Sequence, residues 1–258
     1  MNRVGYCLGV LGFSCAFSVM AADFDRAEVE KRLAAADKSH LADLRRKDLT
    51  DLDLSGLNFK QADLWGSDLR RSNLSNSDLA GLNLDLTVMS KINLSGANLS
   101  NTSIFGVHMG GANLSKANLK GSRFISVLDR ADLQQADLSN ANWGVDMTNQ
   151  PMGLMRVSLN SANLSGANLT HANLNRALMR FAKLKGATLH KTVLFGVDLS
   201  GADLSNADLS GADLSEAKLE GTNFTGANLA GTQFSGVKDK SKLVGLDASR
   251  NLDKALFK

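Results

Sequence analysis

Residues 202–221 read ADLSNADLSGADLSEAKLEG. Leucine returns at positions 204, 209, 214 and 219, and an alanine stands two places before each one. A period of five belongs to neither regular element. On an α-helix five residues turn about 500°, so successive leucines land about 140° apart and no single face collects them. On a strand the odd step sends successive leucines to opposite faces. The pattern is satisfied if the chain turns a corner within every unit. Each leucine then points inward from its own short side of a coil. Repeats built from helix pairs, and leucine-rich repeats, need periods of about 20 or more and are excluded as the basic unit.

Working outward, Leu, Phe, Met or Ile occupies every fifth position from Leu44 to Phe124. The register then slips by one residue and continues through Leu128, Leu133, Leu138 and Trp143. The segment GVDMTNQPMG, 144–153, breaks the pattern and holds the only proline, Pro151. The repeat resumes at Leu154 and runs to Phe234, which makes 17, 4 and 17 units. The flanking positions have their own chemistry. A small residue two places before the leucine, as at Ala62, Ala97 and Ala162, shares a narrow interior. Asp or Asn one place before it, as at Asp63 and Asn163, suits turns. Glycine two places after it, as at Gly96 and Gly201, lets the backbone bend.

A(D/N)LxG units such as ADLSG (207–211) and ANLSG (162–166) resemble the pentapeptide-repeat family, over about three quarters of the chain. The resemblance implies an all-β solenoid: a right-handed quadrilateral β-helix with four units per coil. This chain would hold about nine to ten coils with short helical caps, a rod about 45 Å long at about 4.8 Å per coil. A single unit cannot stand alone. Burying one leucine yields about 1.5–3 kcal/mol, whereas fixing five backbone residues costs about 5–10 kcal/mol. Stability must come from stacking.

The expected organisation follows. Residues 1–21, with Arg3 before an apolar stretch and Val19 and Ala21 near its end, read as a signal peptide; a retained membrane anchor is the alternative. Cleavage would make the protein periplasmic or secreted, not integral to the membrane. It would also remove Cys7 and Cys15, the only cysteines, leaving no disulfide or thiol chemistry. Residues 22–41 are expected to form a capping helix, with Asp25 as N-cap and Glu28 three places on. The β-helix occupies 42–143 and 154–236, with a loop or break at 144–153. Residues 237–258 form a second cap or a homodimer contact.

A lumen filled by leucines and small side chains leaves no room for a substrate, so any site lies on the outer wall. His171 and His190 fall on one side in neighbouring coils, but no third metal ligand is evident. The serines after leucine have no His–Asp partners. No enzyme activity, cofactor, metal or small-molecule substrate is expected. Charge is more informative. The formal net charge is +3, but acids are absent from 86–128 and from 147–197. Within the second gap stand Arg156, Arg176, Arg180, Lys183, Lys185 and Lys191, a candidate basic belt for an acidic partner. Arg156 and Arg176, 20 residues apart, should stack on one side. Trp65, Phe105 and Ile125 follow the inward residue on one expected side, and should face outward as a protein-contact stripe.

The function expected is a non-enzymatic, exported binding scaffold whose rod surface takes a protein or an acidic polymer, with nucleic acid not the expected partner. The alternative comes from the resemblance, since some pentapeptide-repeat proteins mimic DNA and protect DNA gyrase from quinolones. That role implies a cytoplasmic protein with an acidic exterior, from which the leader and the acid-free middle depart.

Overall fold

The structure, a computed structural model, describes residues 22–145, 155–237 and 239–257. The expected signal peptide, Leu154 and most of the 144–153 break lie outside the described residues.

One unit explains the motif. Asp203 N–H donates to Ala182 O in the preceding coil, and Leu204 N–H to Asn223 O in the following one, each at 2.9 Å. Asn206 N–H also reaches forward, to Thr225 O. Ala207 N–H closes a turn on Leu204 O at 3.0 Å. The remaining donor, Ser205 N–H, is taken by Asp203 Oδ1 at 3.0 Å. All five backbone donors of the unit are thus satisfied, which a closed tube requires. Asp or Asn precedes the leucine because its carboxyl or amide oxygen accepts the one donor that neither neighbouring coil can reach. The third turn residue must be left-handed, as a type II turn demands. The corners hold that conformation whether or not glycine is present: Arg46, Asn76, Lys116, Phe181 and Glu216 all have φ between 55° and 59°.

The units stack into four parallel ladders, one per side. On the first side Ala42–Asp43 (β1) pairs with Ala62–Asp63 (β2), and Ser103–His108 (β3) with Arg123–Val127 (β4). The second runs through Ser158, Leu178, Asp198 and Lys218. The third runs through Asn163, Lys183, Asp203 and Asn223, and the fourth through Asn168, Thr188, Asp208 and Asn228. Inward residues such as Leu44, Leu99, Leu164 and Leu204 are wholly buried and form one continuous core. Where serine or threonine replaces alanine inside, its hydroxyl bonds a leucine carbonyl, as Thr192 Oγ1 does to Leu169 O at 2.8 Å. The molecule is a four-sided parallel β-helix with a filled lumen.

The slip after Phe124 has a structural cause. β3 and β4 are in register at Phe105–Ile125, then a bulge brings His108 opposite Val127, so the later side is one residue shorter. Phe124 and Trp143 stack inside it, 4.7 Å apart, and Trp143 Nε1 donates to Ser122 Oγ. This corrects one expectation. Ile125 is buried rather than exposed. It follows inward Phe124 in the strand, registers with exposed Phe105 and lies outside the continuous core, so it keeps its wall position but is covered there. Beyond the break the ladders resume with partners 31 residues apart, as at Asp137–Asn168 and Asn142–Asn173. Spacings then return to 20.

The two ends differ. The helix α1, Arg26–Ala35, has its N-terminus capped by Asp25, which accepts from Glu28 N–H at 2.8 Å. The Glu28 side chain does not close a capping box and instead takes Arg32 Nε at 2.7 Å. Val29 is fully buried on the core, and Arg26 donates to Asp53 O and Ser55 O, which seats the helix over the first coil. Residues 239–257 form a wider last turn with 3-10 helices at Lys240–Lys242 and Leu252–Lys254. Their bridges, Asn223–Val244, Asn228–Arg250 and Gln233–Leu256, stretch the spacing by one, two and three residues. Phe257 stacks on Phe234 at 4.7 Å and carries Lys240 Nζ 3.6 Å above its ring.

Candidate functional site

With the lumen closed by side chains, recognition belongs to the outer wall. The wall falls into regions of different character. In the first coils Arg45, Lys60, Arg70 and Arg71 are paired with carboxylates, while Arg46 and Lys47 lie over the rings of Trp65 and Phe24. Arg45 lies 2.9 Å from Asp43, Arg71 2.6 Å from Asp51 and Lys60 2.7 Å from Asp78. The hydrogen bond from Arg45 holds the Asp43 carboxyl down at about 2, and that from Arg71 lowers Asp51. Around the turn from Arg156 to Lys191 the situation reverses. Among the described residues, Arg156, Arg176, Arg180, Lys183, Lys185 and Lys191 have no carboxylate within ion-pair distance.

These cations do not share one face. Arg176 occupies the corner between the first and second sides, but the residue that stacks before it there is Val145, whose N–H donates to Asn175 O, and not Arg156, because the inserted segment shifts the count. Arg180 lies on the second side, Lys183 and Lys185 on the third, and Lys191 at the corner between the fourth and first. The belt is a ring around the rod, and only Arg180, Lys183 and Lys185 adjoin. Between them, at a corner, stands Phe181, 59% exposed despite φ of +56°. Its ring leans across Gly201 so closely that a Cβ there would lie 2.6 Å from two ring atoms. The Arg180 guanidinium stands 5.8 Å from the ring centroid.

Trp65 and Phe105 share the first side, two coils apart. Trp65 is half-buried and borders a groove of about 620 Å³ with Leu41, Lys60, Leu82 and Asn83. Leu82, like Leu52 and Leu57, occupies a position that most units fill with a small residue, and it stays partly exposed. Phe105 is exposed, beside exposed Leu86 and Val88, and its N–H donates to Asp85 Oδ1 at 2.8 Å.

One arrangement escaped sequence reasoning. The Arg46 guanidinium lies 4.9 Å over Trp65, and that of Arg176 lies 5.5 Å over Phe195. In both, the arginine stem crosses a corner glycine of the next coil, Gly66 or Gly196, at 3.4 Å from where a Cβ would stand. The signal was present as an arginine followed nineteen places later by an aromatic–glycine pair, but it has meaning only once adjacent coils are stacked. Such exposed cation–π contacts are worth about 0.5–1 kcal/mol.

His171 and His190 rings meet edge-on at 5.8 Å, and His190 Nδ1 is 2.9 Å from Ser210 Oγ. Among the described residues no group of three His, Cys, Asp or Glu side chains is placed to hold a metal. No helix among them is long and apolar enough to cross a membrane.

A closed four-sided solenoid, with its chemistry confined to wall residues, defines a class of repeat-built rods. The chain belongs to the pentapeptide-repeat family: the family model matches residues 53–90, 92–127, 162–201 and 202–238, more than half of its length. Among solved structures it is similar to HetL, a pentapeptide repeat protein involved in heterocyst differentiation regulation in the cyanobacterium Nostoc sp. Strain PCC 7120. Identity is 28%, the TM-score is 0.52, and the match covers 90% of this chain and 99% of HetL. A pentapeptide repeat protein of the Arabidopsis thaliana thylakoid lumen is 39% identical over 35% of this chain and 57% of its own, with a TM-score of 0.30. QnrB1, a plasmid-mediated fluoroquinolone resistance protein, is 20% identical over 64% of this chain and 77% of its own, with a TM-score of 0.38. No curated protein sequence shows significant similarity to the chain.

Proposed function

We propose that this protein is an exported, non-enzymatic scaffold, a rod of about nine to ten coils that binds an acidic partner through the wall between Arg176 and Lys191. The carrying observation is the contrast in pairing. Arg45, Arg71 and Lys60 are neutralised by carboxylates, whereas among the described residues Arg180, Lys183 and Lys185 are not. Exposed cations left without partners on a rigid wall raise the local concentration of anions and steer their approach. A second contact, to a protein, is supported by the Trp65 groove and by exposed Phe105 on the first side. Export rests on the basic start and apolar run of residues 1–21. A DNA-mimicking role at gyrase draws less support, because Arg45, Arg71 and Lys60 neutralise carboxylates of the first coils and the acid-free stretch 147–197 separates these from Asp198, Asp203, Asp208 and Asp213.

Retention of the chain on immobilised polyglutamate tests the reading. Salt-sensitive retention that Lys183→Glu with Lys185→Glu removes is the expected result. Retention unchanged by that pair would end it. Fractionation of cells expressing the full chain tests export, and intact protein confined to the cytosol would refute that part.

A further inference from the structure

We propose that Arg180, Phe181, Lys183 and Lys185 form a binding site for an acidic polysaccharide, with the Phe181 ring as platform for a sugar face and the three cations for its acid groups. The assignment rests on the acidic-partner reading above and narrows it. Phe181 is the first reason. A bulky residue with positive φ is a conformational outlier, and the left-handed region costs a non-glycine residue about 1–2 kcal/mol. Here it also leaves an aromatic ring 59% exposed. Glycine, found at the same corner in the next two coils as Gly201 and Gly221, would avoid both penalties. The ring is not loose. It rests across Gly201, whose missing Cβ makes the contact possible, with the Arg180 guanidinium 5.8 Å from its centroid, and the residue still keeps 59% of its surface exposed.

The surroundings select the ligand. Lys183 and Lys185 flank buried Leu184 on one side of the coil, about 6.6 Å apart at the rise of a strand. Arg180 stands across the corner beside the ring, its N–H held by Asn160 Oδ1 at 3.0 Å. Along the third side this cationic group is narrow. The ladder places Asp203 one coil beyond Lys183 and Asp132 two coils before it. A polymer with a phosphate every few ångströms, lying along the rod, would set charges against both carboxylates. A glycan with an acid group on every second sugar carries its charges further apart and presents hydroxyls between them. Carboxylates accept hydrogen bonds from hydroxyls. Ser165 and Ser205, which register with Lys185 on either side, extend the hydroxyl-bearing surface.

Isothermal titration of the full chain with a hyaluronate oligosaccharide, neutral dextran, an oligothymidylate and polyglutamate tests the assignment. Phe181→Gly is the main variant, because a left-handed corner accepts glycine without loss of fold; Phe181→Tyr is the rescue. Hyaluronate should bind more tightly than dextran or oligothymidylate. Phe181→Gly should weaken it about tenfold or more, through lost apolar contact, while polyglutamate binding stays unchanged and Phe181→Tyr restores the glycan. Hyaluronate affinity untouched by Phe181→Gly, or tighter binding of oligothymidylate, overturns the glycan assignment and leaves the acidic-partner reading standing. Absence of binding to every polyanion overturns both.

Discussion

The coils just after α1 and the coil holding Lys183 share one interior and differ in their walls. Inside, Leu49 and Leu184 are equally inaccessible, and each N–H reaches the following coil, to Asp68 O and Asp203 O. Outside, Arg70 and Arg71 close onto Asp68 and Asp51, while among the described residues Lys183 and Lys185 face solvent without a carboxylate. The same scaffold therefore carries a self-neutralised surface at one end and an open one in the middle. The difference shows that the repeat dictates inward positions and leaves wall positions free to specialise.

The largest effect should ignore that difference. Leu49→Ala and Leu184→Ala should each cost about 2–5 kcal/mol, the usual range for a cavity in a packed core. Denaturant unfolding measures both. A loss at one site several times that at the other would mean the interiors are not equivalent.

Charge reversal should separate the regions. Lys183→Glu with Lys185→Glu should lower affinity for polyglutamate about tenfold or more, while Arg70→Glu with Arg71→Glu should leave it nearly unchanged. Equal losses would move the binding surface away from Lys183 and Lys185, or spread it over the whole rod.

Acid should weaken the first coils before the middle. Asp43 and Asp51 have folded values held down, chiefly by hydrogen bonds from Arg45 and Arg71. A lowered folded pKa contributes stability above the unfolded value and loses it as pH falls through the folded one. The loss should run from the ordinary carboxylate range down to about 2, the value of Asp43. Trp65, in the second coil, and Trp143, in mid-rod, are the only tryptophans. Each left alone by replacing the other with Phe reports its own region. Trp65 emission should change at higher pH than Trp143 emission, and high salt should narrow the gap.

The smallest effect concerns a corner. Leu86 has φ of +62° and is 54% exposed. Leu86→Gly should raise stability by up to about 1 kcal/mol, as relieved left-handed strain outweighs the extra freedom of the unfolded chain. A loss instead would show that Leu86 packs against its neighbours in solution.

The five-residue period was enough to read the tube. Leu204, Leu209, Leu214 and Leu219 can all be buried only if the chain turns between them. The same reasoning assigned the small inner positions and the corners, and it found Trp65, Phe105 and the acid-free stretch. It failed at Ile125, which keeps its wall position yet is buried, because a local count assigns the face of a residue and not what covers that face. It also treated the cations from Arg156 to Lys191 as one belt, although only Arg180, Lys183 and Lys185 adjoin.

What the amino-acid order determined by itself is the repeating unit, since inward burial and the Asp203-type turn bond act within a few residues of each other. What the tertiary structure decided is which walls meet. Arg46 over Trp65, Arg176 over Phe195 and Phe181 across Gly201 each join residues about one full coil apart. Those contacts come from the stacking distance between coils, and that distance exists only when neighbouring coils are hydrogen-bonded together.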